Sequence, residues 1–187
     1  MSQAIRLDVC FAGGRTGQWQ VERMSAVTGP ALPAVDRVIV SENQSIAIPV
    51  GSAWLLRGVT SYERYVQRPE RSALVGRQPA LRRPEATCAA LIPIRKAAAW
   101  WELTHDERRT IFEERSHHIT VGLEYLPAIA RRLYHGRDLG EPFDFLAWFE
   151  YAPSSAGRFQ ELLDRLHATE EWAYVEREIE IRLVRST

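Results

Sequence analysis

Two side chains of this sequence are costly to bury. They are His118 and Arg131, thirteen positions apart in SHHITVGLEYLPAIARRLYHGRDLG. On a helix through the first part of this stretch, Ile111, His118, Gly122 and Tyr125 fall on one face. His117 points about 100° away, beside Glu113 and Glu114. His118 is therefore the inward member of the pair. On the strand that follows, Ile129, Arg131, Leu133 and His135 share one face, and Ala130, Arg132 and Tyr134 the other. If the Ile129/Leu133 face is the core, Arg131 is the buried arginine. A buried charge without a partner costs several kcal/mol, so it calls for a carboxylate or a bound anion. A nitrogen ligand on one side and an anion-drawing cation on the other match the needs of a haem iron that binds a small oxyanion. Taken singly, each residue also has a plain structural role. The histidine can sit in the core on a backbone carbonyl, and the arginine can sit in an ion pair.

Other residues join these two. Gly122 removes bulk one turn after His118 and lets a flat ligand approach the helix. Glu171, in the pair Glu170-Glu171, can accept from the free N–H of His118, fix its tautomer and make it a more basic ligand; otherwise it is a solvated glutamate. Lys96 can pair with a haem propionate, and Trp100 and Trp101 can flank a macrocycle or fill a core or dimer interface. Gln78 lies in a loop, where its amide can donate to an oxyanion.

The elements that must hold these residues read best in the second half. ATCAALIPIRK (86–96) is an apolar run and reads as a buried strand. Thr104-His105-Asp106-Glu107 has capping-box spacing with acids in the first turn, and starts a helix expected to run to about Tyr125. Residues 128–136 and 143–151 read as strands. Phe159, Leu162, Leu163 and Leu166 recur at i, i+3, i+4, i+7 and mark an amphipathic helix, with Glu171 near its end. Val175, Ile179, Ile181 and Leu183 alternate with Glu176, Glu178, Glu180 and Arg182, which predicts a half-exposed strand.

The order β-α-β-β-α-β is a ferredoxin-like unit. In the first half, IRLDVCFAGG, WQVERMSAV, DRVIVSE and SAWLLRGVTSY read as strands, with one short helix in ERSALVGRQPAL. This half reads as a trimmed copy of the same unit. A soft boundary rich in Pro and Arg spans residues 68–85 and divides the chain into 1–85 and 86–187. The expected fold is α+β, with two ferredoxin-like halves joining their sheets into an α+β barrel. Shortened N-terminal helices would leave apolar sheet poorly covered, which favours a homodimer.

Composition narrows the partners. Lys plus Arg and Asp plus Glu number 24 each, so no basic footprint for nucleic acid or anionic lipid is present. The apolar runs are too short to span a bilayer. The N-terminus lacks a charged-then-apolar leader, so a cytoplasmic protein is expected. Cys10 and Cys88 read as free thiols. There is no Gly-rich phosphate loop and no Cys/His zinc spacing.

IPIRKAAAWW, the helix with ERSHH, GLEYLPAIARRLYH, FDFLAWFE and TEEWAYVE together resemble the chlorite dismutase family, in its short dimeric lineage. The likeness covers residues 86–187, with weaker agreement in FAGGRTGQW and WLLRGVTSYERY. It implies haem b as cofactor, with His118 as proximal ligand and Glu171 as its hydrogen-bond partner. Arg131 would be the distal arginine, Lys96 and Trp100 the propionate and haem-flanking residues, Trp101 near the subunit interface, and Gln78 a distal glutamine. The implied reaction is decomposition of chlorite to chloride and dioxygen. Three other readings stand beside it: a coprohaem decarboxylase-like enzyme, a peroxidase-like enzyme, and a non-enzymatic haem-binding or haem-sensing barrel.

Overall fold

The computed structural model describes residues 8–42, 50–60 and 64–186. Eight strands close into a barrel: β1 (Asp8–Gly14), β2 (Trp19–Thr28), β3 (Arg37–Glu42), β4 (Trp54–Val59), β5 (Cys88–Lys96), β6 (Ile129–His135), β7 (Phe145–Tyr151) and β8 (Val175–Arg185). Around the barrel the order is β1-β3-β2-β8-β5-β7-β6-β4, all antiparallel. The order 8-5-7-6 repeats the order 4-1-3-2, so each half has ferredoxin-like strand topology. The ends of the predicted first and fourth strands, 5–7 and 61–62, lie outside the described residues.

Alternation along the strands splits their side chains between two cores. Phe11, Trp19, Leu56, Leu91, Tyr134 and Trp148 fill the barrel interior. Phe11 and Trp148 have ring centroids 5.4 Å apart, and Trp19 meets Trp148 edge-on at 5.3 Å. Gly13 leaves room for Trp54 in the same core, since a Cβ there would lie 2.1 Å from its ring. Outside, Ala90, Ile92, Phe149 and Tyr151 face the helix α5 (Ala156–His167), which returns Phe159, Leu162, Leu163 and Leu166. Burying such side chains contributes about 1.5–3 kcal/mol each.

The helix expected from Thr104 to Tyr125 is broken. Thr104 and Glu107 do form a capping box, and α3 (His105–Arg109) follows the short α2 (Ala98–Glu102). Residues 110–115 then widen into a π-helical stretch, and His117 takes a left-handed φ of 52°. The helix restarts as α4 (His118–Glu124). Glu113 explains the restart. Its carboxylate accepts from the backbone N–H of Ile119 at 2.5 Å and of Thr120 at 3.2 Å, two donors of the new helix's first turn. The face drawn through Ile111 and His118 is therefore not continuous.

The last strand also differs from its half-exposed prediction. Glu178 and Glu180 are buried, because α5 and neighbouring side chains cover the outer face. Glu178 accepts from His167 and Trp172, and Glu180 from Arg182 and Arg23. Val175 leaves the phase of Ile179 at a bulge opposite Arg95 and Lys96 and joins the outer core.

Candidate functional site

Between the outer face of β5, β6 and β7 and the helices lies a cavity of about 620 Å³, within the usual size of small-molecule and cofactor sites. Its walls carry Ile92, Ile94, Ala147, Phe149, Leu162 and Leu166, together with His118, Arg131, Gln78, Lys96, Trp100 and Glu171.

His118, the first residue of α4, lines the cavity with its ring held between Phe112 (4.4 Å) and Trp172 (6.2 Å), nearly parallel to both. Its Nδ1 lies 2.7 Å from Glu171 Oε2. A carboxylate accepts, so Nδ1–H donates to it, and Nε2 is the ring nitrogen left for another partner. Glu171 sits in a 3-10 turn (Glu170–Tyr174), beyond the end of α5 at His167. Its backbone N–H donates to Ser116 Oγ at 3.0 Å, which ties this turn to the helix break.

The second oxygen of Glu171 accepts from Lys96 Nζ at 2.8 Å. Burial pushes the Glu171 carboxyl upward in pKa, but the charges and hydrogen bonds of His118 and Lys96 outweigh this and hold it at about 2. Glu171 is thus an anion that accepts from both His118 and Lys96. The sequence assigned Lys96 to a propionate. The structure turns its ammonium to Glu171, 4.7 Å from the Trp100 ring centroid, because the bulge after Arg95 points this side chain under the 3-10 turn.

Arg131 is half-buried on the cavity side of β6, while Leu133 beside it is 47% exposed. Beyond Ile129, which is buried in the outer core, that face is a cavity wall. The guanidinium rests against Gly122, where a Cβ would lie 2.9 Å from Nη1. Gly122 therefore makes room for Arg131, in place of the flat ligand expected from the sequence. Gln78 is the C-cap of α1 (Arg68–Arg77), and its Nε2 donates to the Arg131 carbonyl at 2.8 Å. The amide thus holds the backbone of Arg131. Arg132 points the opposite way and bonds Glu42 at 2.9 Å, which Tyr134 also reaches at 2.7 Å.

Trp100 lines the cavity, and its buried Nε1 has no hydrogen-bond partner among the described residues. Trp101 does not line it. This ring stacks on Phe145 at 6.1 Å, under the Arg137 guanidinium at 3.9 Å, because it lies on the far side of the short α2. His135 was placed by the sequence on the face of Arg131 and given no role. It is buried, lines the cavity, and has its pKa lowered to about 4 by burial and by the charge of Arg64. The parity of the strand was the signal for it.

Among the described residues, no group of three or more His, Cys, Asp or Glu is arranged to hold a metal ion. His118 can offer one ligand, so a metal here requires a macrocycle to supply the rest. An apolar cavity, one imidazole backed by a buried carboxylate, and an indole donor with no partner among the described residues fit a haem with acidic substituents.

A family model described as Chlorite dismutase matches residues 34–186. The dimeric chlorite dismutase from Nitrobacter winogradskyi superposes with a TM-score of 0.87 and 56% identity, covering 95% of this chain and 99% of that one. A mutant chlorite dismutase from Candidatus Nitrospira defluvii shares the fold at a TM-score of 0.70 and 19% identity, over 97% of this chain and 92% of that one. The chlorite dismutase of Ideonella dechloratans is 35% identical over 75 residues, which are 40% of this chain and only 24% of that protein.

Proposed function

This chain belongs to the chlorite dismutase family, and we propose that it is a haem b enzyme that decomposes chlorite to chloride and dioxygen. One observation carries this reading: a glutamate-backed imidazole at position 118 and a guanidinium at position 131 line the same cavity. His118 Nε2 would bind the iron, and the apolar walls would hold the ring. Bound there, haem supplies the redox chemistry that breaks a Cl–O bond and forms the O–O bond.

The protein's residues do the rest. Glu171 holds His118 in one orientation by accepting from its Nδ1–H, and Lys96 holds Glu171 in place. Phe112 and Trp172 fix the plane of its ring. Arg131 supplies a charge that is permanent at any working pH. It draws chlorite into the cavity and retains the departing oxyanion until the O–O bond forms. No proton need move, so no acid–base residue is needed. Gln78 holds the strand beneath Arg131. The chain works as a homodimer, a reading supported by its likeness to the dimeric Nitrobacter winogradskyi protein.

The test is direct. Protein loaded with haemin should show a Soret band and release one dioxygen per chlorite at an oxygen electrode. Arg131→Ala should keep the Soret band, lose about 10²-fold in turnover and bleach sooner. Unchanged rate and lifetime in that variant would remove Arg131 from the mechanism. Absence of oxygen release from haem-loaded protein would reject the activity.

A further inference from the structure

We infer that Arg64 and His135 form a carboxylate-binding corner that takes a propionate of the bound porphyrin and so sets which edge of the macrocycle enters the cavity. This rests on the haem reading above and adds residues and an orientation to it.

The strand register places the corner. His135 pairs with Phe145, which pairs with Ile94, so these three form one row. Arg131 pairs with Phe149 and Ala90 in a second row, four residues along and about 13 Å away. His135 is therefore too far from Arg131 to act on the same small anion. It belongs to the other end of the cavity.

That end is rich in donors. Arg64 lines the cavity and acts electrostatically on His135. Tyr65, the next residue, packs edge-on against Trp100 at 6.2 Å, which sets the indole at the same end, its Nε1 without a partner among the described residues. His135 makes ring contact with Phe145 but no hydrogen bond to a described residue. The imidazole is neutral at pH 7, so it can still donate one N–H. Arg64 already touches Asp138 at 3.1 Å, but Asp138 is 73% exposed. An exposed pair of this kind is weak, and a guanidinium fork can serve a second carboxylate. Arg131 and Lys96 also line the cavity, but the Lys96 ammonium is taken by Glu171 and Arg131 lies in the other row, while the wall of Leu162, Leu163, Leu166 and Phe149 offers nothing to a charge. An amphipathic ring with its acids on one edge meets several donors together at the Arg64 end.

The experiment compares haemin with haemin dimethyl ester, whose propionates carry no charge. Affinities are measured by Soret titration of the unaltered protein, Arg64→Gln and His135→Asn. Arg64 is partly exposed, so the first variant should fold even if the second does not. Arg64→Gln should weaken haemin about tenfold while changing the ester less than about twofold. Equal losses for both porphyrins, or no loss for haemin, would overturn the corner and leave the haem reading standing. Failure of the unaltered protein to form a Soret complex with either porphyrin would overturn both.

Discussion

The same strands wall two very different spaces. Inside the barrel, β6 contributes Tyr134, which packs with Phe11, Leu56 and Trp148 into a filled core, and Ala130 of the same phase is fully buried. One residue out of phase, β6 contributes Arg131, Leu133 and His135 to a cavity of about 620 Å³. A period of two lets one segment do both jobs, because neighbours on a strand never face the same way. The lesson is a division of labour: stability resides in the interior, while the outer face can keep polar groups and space.

Mutations can break or sharpen that contrast. Phe11→Ala should cost about 3–5 kcal/mol and lower the melting temperature by roughly 10 °C, followed by circular dichroism. Leu133→Ala, on the cavity side of the same barrel, should cost less than about 1 kcal/mol. Equal losses would show that the cavity wall bears load like the interior. The next effect is electrostatic. The folded His135 has a pKa near 4 against an ordinary 6.5, so between these values the unfolded chain binds a proton that the folded one refuses. Stability of the haem-free protein should therefore fall by roughly 3 kcal/mol as pH drops from 6.5 to 4, and this part should vanish in His135→Asn, measured by urea unfolding.

Smaller effects probe the two sides of the cavity. Glu171→Gln should weaken haemin binding by about 10–100-fold in a Soret titration, since the imidazole loses its anionic partner. Arg131→Ala should not weaken it. Gly122→Ala tests the smallest contact. A mid-helix Gly to Ala change gains about 1 kcal/mol where space allows. The gain should appear on an Arg131→Ala background and disappear in the unaltered protein, where the guanidinium lies 2.9 Å from the new Cβ. An equal gain in both would separate Gly122 from Arg131.

Much of this was legible along the chain. The i, i+3, i+4, i+7 leucines gave α5, and the apolar run of residues 86–96 gave β5. The pair His118 and Glu171 was expected to meet and does so at 2.7 Å. Other features left no local trace. The expected helix breaks at His117 because Glu113 folds back to cap a new turn, and no periodicity records a carboxylate that serves as a cap. Lys96 looked like a residue for an external acid until the bulge beside it placed it on Glu171. Glu178 looked solvated until α5 covered it and His167 and Trp172 supplied its donors.

What the sequence determined alone is which side chains share a face, since helical and strand periods act between neighbours a few residues apart. It therefore set most of the strands and the amphipathic helix, and it put Arg131 and His135 on one face of β6. Only closure of the barrel decided what those faces meet. Glu171 lies 53 positions from His118 and 75 from Lys96, and contacts over such separations exist only once the intervening chain has packed.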